Sequence, residues 1–262
     1  MISLFALATA AVCGAPPGAE ELWKSRGIRI LMLGEVHGTN EIPELAGTLL
    51  CESSKQGRLA ALALEAAPDD GQAALDRYLA SKGTAADLAE LRRAPMWLDR
   101  YGRGSEAVLK LVERARKLGA RVFLFDAVRP KTGPTDDSRE QAMADRLVAA
   151  AEHGRVIALT GMGHADRHGF VSLKPAVRSA AQRLPHALLL TLAPAGFSGE
   201  VWGCRVPSGQ AQRCGIQPVR PRGEVSPGSI RLVRGKRSDF DALYSVGQPF
   251  TSSPPAGRVM EP

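Results

Sequence analysis

Apolar residues alternate along this chain between two rhythms. Short unbroken runs at 28–33, 59–64, 122–125, 156–160 and 187–192 have the length and aliphatic content of strands covered on both faces. Between them, apolar positions recur three and four residues apart. The stretch 40–55 places Ile42, Leu45, Leu49 and Leu50 at helical spacing, and Thr39 or Asn40 can cap its start. The stretches 70–80, 85–92, 105–118, 138–152 and 173–184 also read as helices. In 105–118, Val108, Leu111, Val112 and Ala115 share one face and Gly119 ends the helix. Strand and helix in alternation predict an α/β fold with a mostly parallel sheet flanked by helices.

After Gly196 the rhythm changes. Pieces at 200–206, 215–219 and 229–233 are β-prone and separated by Gly and Pro, which predicts a β-rich C-terminal portion, an antiparallel ribbon over about 196–250. The stretch 239–245 predicts a last short helix. Residues 20–262 read as one α/β domain, a length that can bury a sizeable core.

The first residues read differently. Residues 1–13 are a short apolar run followed by Gly14-Ala15-Pro16-Pro17, too short to span a membrane, and 1–19 read as an export signal and linker. That places the chain in a periplasmic or extracellular setting, with no integral membrane segment in the mature protein. Cys13 is a candidate lipidation site, although Val12 stands where a lipoprotein cleavage site prefers a small residue. Cys204 and Cys214 flank a polar stretch with Pro and Gly, so a disulfide closing a short loop is expected. Cys51, on a predicted helix face, reads as a small buried apolar residue.

Charge narrows the function less than it first suggests. The formal net charge is +7, but aromatics are only 5% and no Lys/Arg block is interleaved with them, so a nucleic-acid partner is not expected. No CxxC pair, Gly-Xaa-Ser-Xaa-Gly elbow or Walker loop occurs, which argues against zinc ribbons, serine hydrolases and P-loop enzymes.

The candidate chemistry lies where the strands end. In open α/β sheets, ligands gather beyond the carboxyl ends of the strands. The first strand delivers Glu35 and His37, the second Glu65, the third Asp126, and the fourth His164. Two imidazoles and several carboxylates on one sheet edge suit proton transfer near neutral pH, and equally a divalent cation. Trp97 and His168 are candidates to line a substrate pocket. His153 and His186 read as surface residues.

These residues carry a family resemblance. Leu33-Gly34-Glu35-Val36-His37-Gly38-Thr39-Asn40-Glu41 resembles the first motif of the erythromycin-esterase-like proteins, a Gly-Glu-Xaa-His followed by Gly-Thr. The segment from Trp97 to Asp126, with Glu106 near the start of its helix, and Arg139-Glu140-Gln141-Ala142-Met143-Ala144 are similar to the middle of that family. Gly161-Met162-Gly163-His164 resembles a later motif shared with the haem-binding ChaN proteins and the TIKI/TraB metalloproteases. The resemblance spans residues 28–195.

By analogy with the esterases, His37 would activate water without a metal. Glu35 and Glu65 would orient that water, His164 would protonate the leaving group or steady an oxyanion, and Arg139 would add positive charge. The TIKI/TraB resemblance would instead make His37, Glu65 and His164 metal ligands in a peptidase. The ChaN resemblance would make the chain a haem or iron binder. The leading expectation is an exported hydrolase acting on an ester, lactone or amide of a small-molecule or peptide substrate. The chain is shorter than the esterases, which argues against a macrolide in particular.

Overall fold

The unbroken apolar runs form the middle of a mostly parallel sheet in the computed structural model, which describes residues 13–24, 27–57, 60–127, 135–205, 212–223, 226–233 and 239–257. The apolar run at 1–12, expected as an export signal, lies outside the described residues. Strands β1 (Ile30–Glu35), β2 (Ala60–Leu64), β3 (Val122–Leu124), β4 (Arg155–Gly161) and β5 (Leu189–Pro194) alternate with helices α1 (Glu41–Lys55), α2 (Gln72–Ala80), α3 (Ala85–Leu91), α4 (Glu106–Lys117) and α5 (Asp137–Ala151). After β4 come two single turns, α6 (Met162–Ala165) and α7 (Ala180–Arg183). Strands β6 (Glu200–Arg205) and β7 (Arg213–Pro218) form a separate antiparallel pair, and β8 (Ser229–Leu232) and β9 (Ala242–Ser245) complete the main sheet. Among the described residues the order is β3-β2-β4-β1-β5-β9-β8, parallel throughout except for β9 with β8.

The period-two geometry of a strand explains the two cores. In β1, Leu31 and Leu33 face one side, where Ile42 and Leu49 of α1 and Val108 and Leu109 of α4 cover them. Ile30 and Met32 face the other side, against Met143 and Leu147 of α5 and Ala180 and Ala181 of α7. Both faces of β1 are therefore dry, which is why its sequence shows no alternation.

Three expectations are corrected. The stretch 173–184 is helical only at Ala180–Arg183, because Pro175 lacks an amide proton and Ser179 caps the chain immediately before that turn. The stretch 239–245 is not a helix: Ala242–Ser245 is a strand whose Ala242 and Tyr244 are fully buried, pairing parallel with β5. Ser229–Leu232 accordingly joins the main sheet through β9 rather than the ribbon, which among the described residues consists of β6 and β7.

Cys204 and Cys214 face each other across β6 and β7 and form the expected disulfide. Cys51 is buried but is not a free thiol; it is bridged to Cys13, whose sulfur is thereby unavailable for lipidation. Both bridges are consistent with an oxidising compartment, and no helix among the described residues is long and apolar enough to cross a membrane. The Cys13–Cys51 bridge docks the segment that follows Cys13. Leu22 and Trp23 enter the core, and the Pro17 carbonyl accepts from the Ile230 amide of β8 at 2.8 Å.

A cross-link spanning 38 residues removes roughly 3–4 kcal/mol of freedom from the unfolded chain. Cys51→Ala is therefore expected to lower the Tm by about 10 °C relative to the oxidised wild type. Melting curves followed by circular dichroism without reductant check this; an unchanged Tm would show that the bridge adds no stability.

Candidate functional site

Three neighbouring strands, β2, β4 and β1, end side by side, and their ends carry the reactive groups. Glu35 closes β1 opposite Gly161 in β4. The turn that follows must be tight. Gly38 has φ +76°, and a Cβ there would lie 2.1 Å from the Trp202 carbonyl oxygen of the ribbon. The Gly38 carbonyl in turn accepts from the amides of Trp202 and Ser253. Ribbon and C-terminal segment together hold the His37 turn in place.

His37 Nδ1 lies 2.8 Å from Glu35 Oε1, which puts the ring proton on Nδ1 and leaves Nε2 directed towards Glu65 Oε2 at 3.7 Å. The ring is about a quarter exposed. Glu65 follows β2 directly and reaches across the end of β4. Its Oε2 accepts from the Thr160 hydroxyl at 2.8 Å and from the Gly161 amide at 2.6 Å. A Cβ on Gly161 would stand 3.1 Å from His37 Nε2, so glycine keeps this crossing open.

His164 sits on α6, just beyond β4. Its Nδ1 lies 2.7 Å from Glu140 Oε1 and its Nε2 is 3.5 Å from Glu65 Oε1. Glu140 is fully buried; it also accepts from the Thr135 hydroxyl at 2.5 Å and the Ala180 amide at 2.6 Å. The Phe170 ring packs edge-on to His164, in the space that a Cβ on Gly163 would fill. The result is a row of five groups, Glu35, His37, Glu65, His164 and Glu140, in which carboxylate and imidazole alternate.

Two guanidinium groups flank the row at Glu65. Arg139 of α5 is buried. It donates from Nε and Nη2 to Asp126 at 2.7 and 2.6 Å and from Nη2 to Glu65 Oε1 at 3.3 Å. Arg103, from the loop between Leu98 and α4, is clamped by Asp99 through Nε at 3.2 Å and Nη2 at 2.8 Å.

Carboxylates raise the pKa of both imidazoles. Burial alone would lower the His164 pKa, but Glu65 and Glu140 outweigh it and raise the value to about 9. His164 is thus an imidazolium at neutral pH. For His37 the same contest, burial against the carboxylates of Glu65 and Glu35, ends above its ordinary 6.5. Burial pushes the Glu65 carboxyl up, yet His164 and His37 hold it well below the usual range.

Glu35, His37, Glu65, His164, Arg139 and Asp126 thus come together, whereas two sequence candidates do not. Trp97 is fully buried in the same core cluster as residues of α1 and α4. Met96 and Leu98 line the neighbouring cavity, whereas Trp97 does not. His168 is exposed, with its Nε2 3.6 Å from Asp239, apart from the row.

Arg103 and Glu140 stand in the site without being among the sequence candidates. Glu140 had a signal, because it shares a helix face with Met143, Leu147 and Ala151, and a charge at a core position requires a partner. Arg103, in a glycine-containing loop, had none.

The donor set does not fit a resident metal. The Nε2 atoms of His37 and His164 approach opposite oxygens of Glu65, those oxygens already accept from Thr160, Gly161 and Arg139, and two guanidiniums stand beside them. Among the described residues no group of three His, Cys, Asp or Glu is arranged to hold a cation. Of the tyrosines that could serve haem, Tyr244 is fully buried with its hydroxyl donating to the Gly34 carbonyl at 2.7 Å, Tyr78 is buried, and Tyr101 is exposed.

No family model matches the sequence, and no curated protein matches it. Solved structures do. A protein of Bacillus cereus superposes with a TM-score of 0.62 at 13% identity, over 87% of this chain and 90% of that one. A succinoglycan biosynthesis protein gives 0.59 at 12% identity, over 87% and 89%. The haem-binding ChaN of Campylobacter jejuni gives 0.47 at 14% identity, over 68% and 84%. The first two share this fold; at such identities they carry no information on chemistry.

Proposed function

We propose that this chain is a hydrolase that activates water with His37 against an ester, lactone or amide. The observation that supports the reading most is the pair of imidazoles on either side of one carboxylate, His37 partly exposed and backed by Glu35, His164 buried against Glu140. Two imidazoles held in such different surroundings can divide the work of base and acid, the exposed ring meeting water and the buried one holding its proton. A water within reach of His37 Nε2 and Glu65 Oε2 attacks the acyl carbon and gives its proton to His37. Glu35, on Nδ1, steadies the imidazolium that forms. The carbonyl oxygen takes the negative charge, and the bond to the leaving group breaks as His164 donates its proton to the departing oxygen or nitrogen. His37 then releases its proton to solvent, and His164 is reprotonated.

The sign of the pH dependence follows. His37 works only when deprotonated, so kcat/KM rises with pH along a limb above 6.5. His164 works only when protonated, so kcat/KM falls again along a limb near pH 9. A panel of p-nitrophenyl esters, γ- and δ-lactones and anilides, assayed from pH 5 to 10, is expected to show this bell for at least one class. Absence of turnover above background across the panel overturns the reading. Turnover that is lost on dialysis against chelator and restored by a divalent cation would instead favour the metal-dependent peptidase.

A further inference from the structure

A cavity of about 530 Å³ is lined by Glu65, the member of the row that reaches it, and by Asp126 beside it. Its wall is apolar at Pro95, Met96, Leu98 and Tyr101, and the last two hold large side chains out to solvent, 55% and 41% exposed. Its mouth carries Asp69 and Asp70. The two guanidiniums at its base are in unequal positions. Arg139 is buried on Asp126 and Glu65 and does not line the cavity. Arg103 does line it, with its side chain 17% exposed.

The Arg103 fork is divided. Asp99 takes Nε and Nη2, while Nη1 stands 3.7 Å from Glu65 Oε1 and 3.8 Å from Asp126 Oδ2, both beyond hydrogen-bond length. Among the described residues Nη1 has no hydrogen-bond acceptor, yet its position is held by the clamp. The backbone fixes it further. Gly102, at φ +87°, abuts the His37 turn so closely that a Cβ would lie 2.6 Å from Gly38 N. The guanidinium is charged at any working pH, because Asp99 and Glu65 outweigh the effect of burial.

We infer that Arg103 is a catalytic residue whose Nη1 receives the carbonyl oxygen of a neutral acyl substrate as that oxygen becomes negative. The inference rests on the hydrolase reading above and assigns a further group to it. A donor fixed before the charge forms costs nothing in reorganisation when the charge appears. The cavity's carboxylates, Glu65, Asp69, Asp70, Asp99 and Asp126, outnumber its guanidiniums, Arg100 and Arg103. A substrate that enters as an anion is repelled by that excess, whereas a neutral ester or amide with an apolar acyl chain is not. Its charge develops only at Nη1, so the contact is stronger in the transition state than in the ground state. Lysine cannot reproduce it, since a single ammonium cannot occupy the Asp99 clamp and present a second donor to the cavity.

The test uses Arg103→Gln and Arg103→Lys in the full chain, with melting curves as a control on folding. On the best neutral ester, Arg103→Gln is expected to lower kcat about 100- to 1000-fold with KM changed by less than about threefold, and Arg103→Lys to recover only part of the loss. A loss confined to KM, or full recovery by Arg103→Lys, overturns the inference while leaving the hydrolase reading intact. Calorimetric titration with 1,1,1-trifluorohexan-2-one, a neutral ketone that forms a tetrahedral hydrate, reads the same contact without turnover, and its Kd is expected to rise at least tenfold in Arg103→Gln, about 1.4 kcal/mol. Equal affinity in wild type and variant overturns the inference whatever the ester assay gives. Arg103-dependent binding of that ketone in a protein without turnover overturns the hydrolase reading alone.

Discussion

Replacing His37 by alanine is expected to lower kcat/KM by roughly a hundred- to ten-thousand-fold, the range that a positioned general base contributes. No other imidazole takes its place. His164 is pinned by Glu140 on one nitrogen, faces Glu65 with the other, and is held protonated. Folding is separable from chemistry here because the His37 ring is partly exposed at the end of a strand whose interior stays intact. His37→Gln sharpens the comparison, since its amide can still donate to the buried Glu35 carboxylate but cannot accept a proton at neutral pH. His37→Gln is expected to melt close to wild type and His37→Ala lower, because alanine leaves the buried Glu35 carboxylate without this partner, and both are expected to be inactive on every substrate that the wild type hydrolyses. Turnover retained in both would exclude His37 as the base.

The second large effect belongs to Glu65, and it falls on stability and titration together. Its buried carboxylate accepts from Thr160, Gly161 and Arg139 and stands between both histidines. Glu65→Ala leaves an imidazolium and a guanidinium short of a counter-charge, at a cost of about 3–5 kcal/mol. Glu65→Gln keeps the shape and removes only the charge, so the His164 pKa is expected to fall from about 9 and the alkaline limb of activity to move to lower pH with it. Denaturant titration and NMR titration of the His164 ring measure the two effects. An unchanged ring pKa in Glu65→Gln would refute the electrostatic account.

Linkage gives the wild type a matching pH window. His164 is raised in the folded state, so its stabilisation is complete below 6.5 and lost as pH rises through about 9. Glu65 is lowered, so its share is complete above its ordinary value of 4.5 and lost as pH falls through the depressed folded value.

What the sequence made legible follows from how each feature is encoded. The central strands announce themselves because both faces are dry and every residue must be apolar. Their ends are equally plain, since Glu35, Glu65 and the glycines before His37 and His164 interrupt those runs abruptly. Arg139 and Asp126 could be named one by one, although nothing in the spacing shows that they meet as a bidentate pair. Arg103 owes its place to the approach of Gly102 to Gly38, a contact between segments about 65 residues apart that no local pattern records. Ala242–Ser245 misled for a related reason: four residues are too few for a period, and pairing with β5 decided the matter. Cys51 was legible as buried but not as bridged, because its partner lies before the first strand of the fold.

That bridge bears on more than melting. Strand β8 is the last of the main sheet, and an outermost strand offers unsatisfied amides to any passing strand of another molecule. Here the outward amide of Ile230 is already taken by the Pro17 carbonyl, and Pro17 itself has no amide proton with which to extend the ladder. Gly18 lies so close to Ile230 that no side chain fits between them. The segment tethered by Cys13 thus acts as a selvedge on the sheet, and the same covalent link that holds the fold together keeps its open margin from being sewn to a neighbour's.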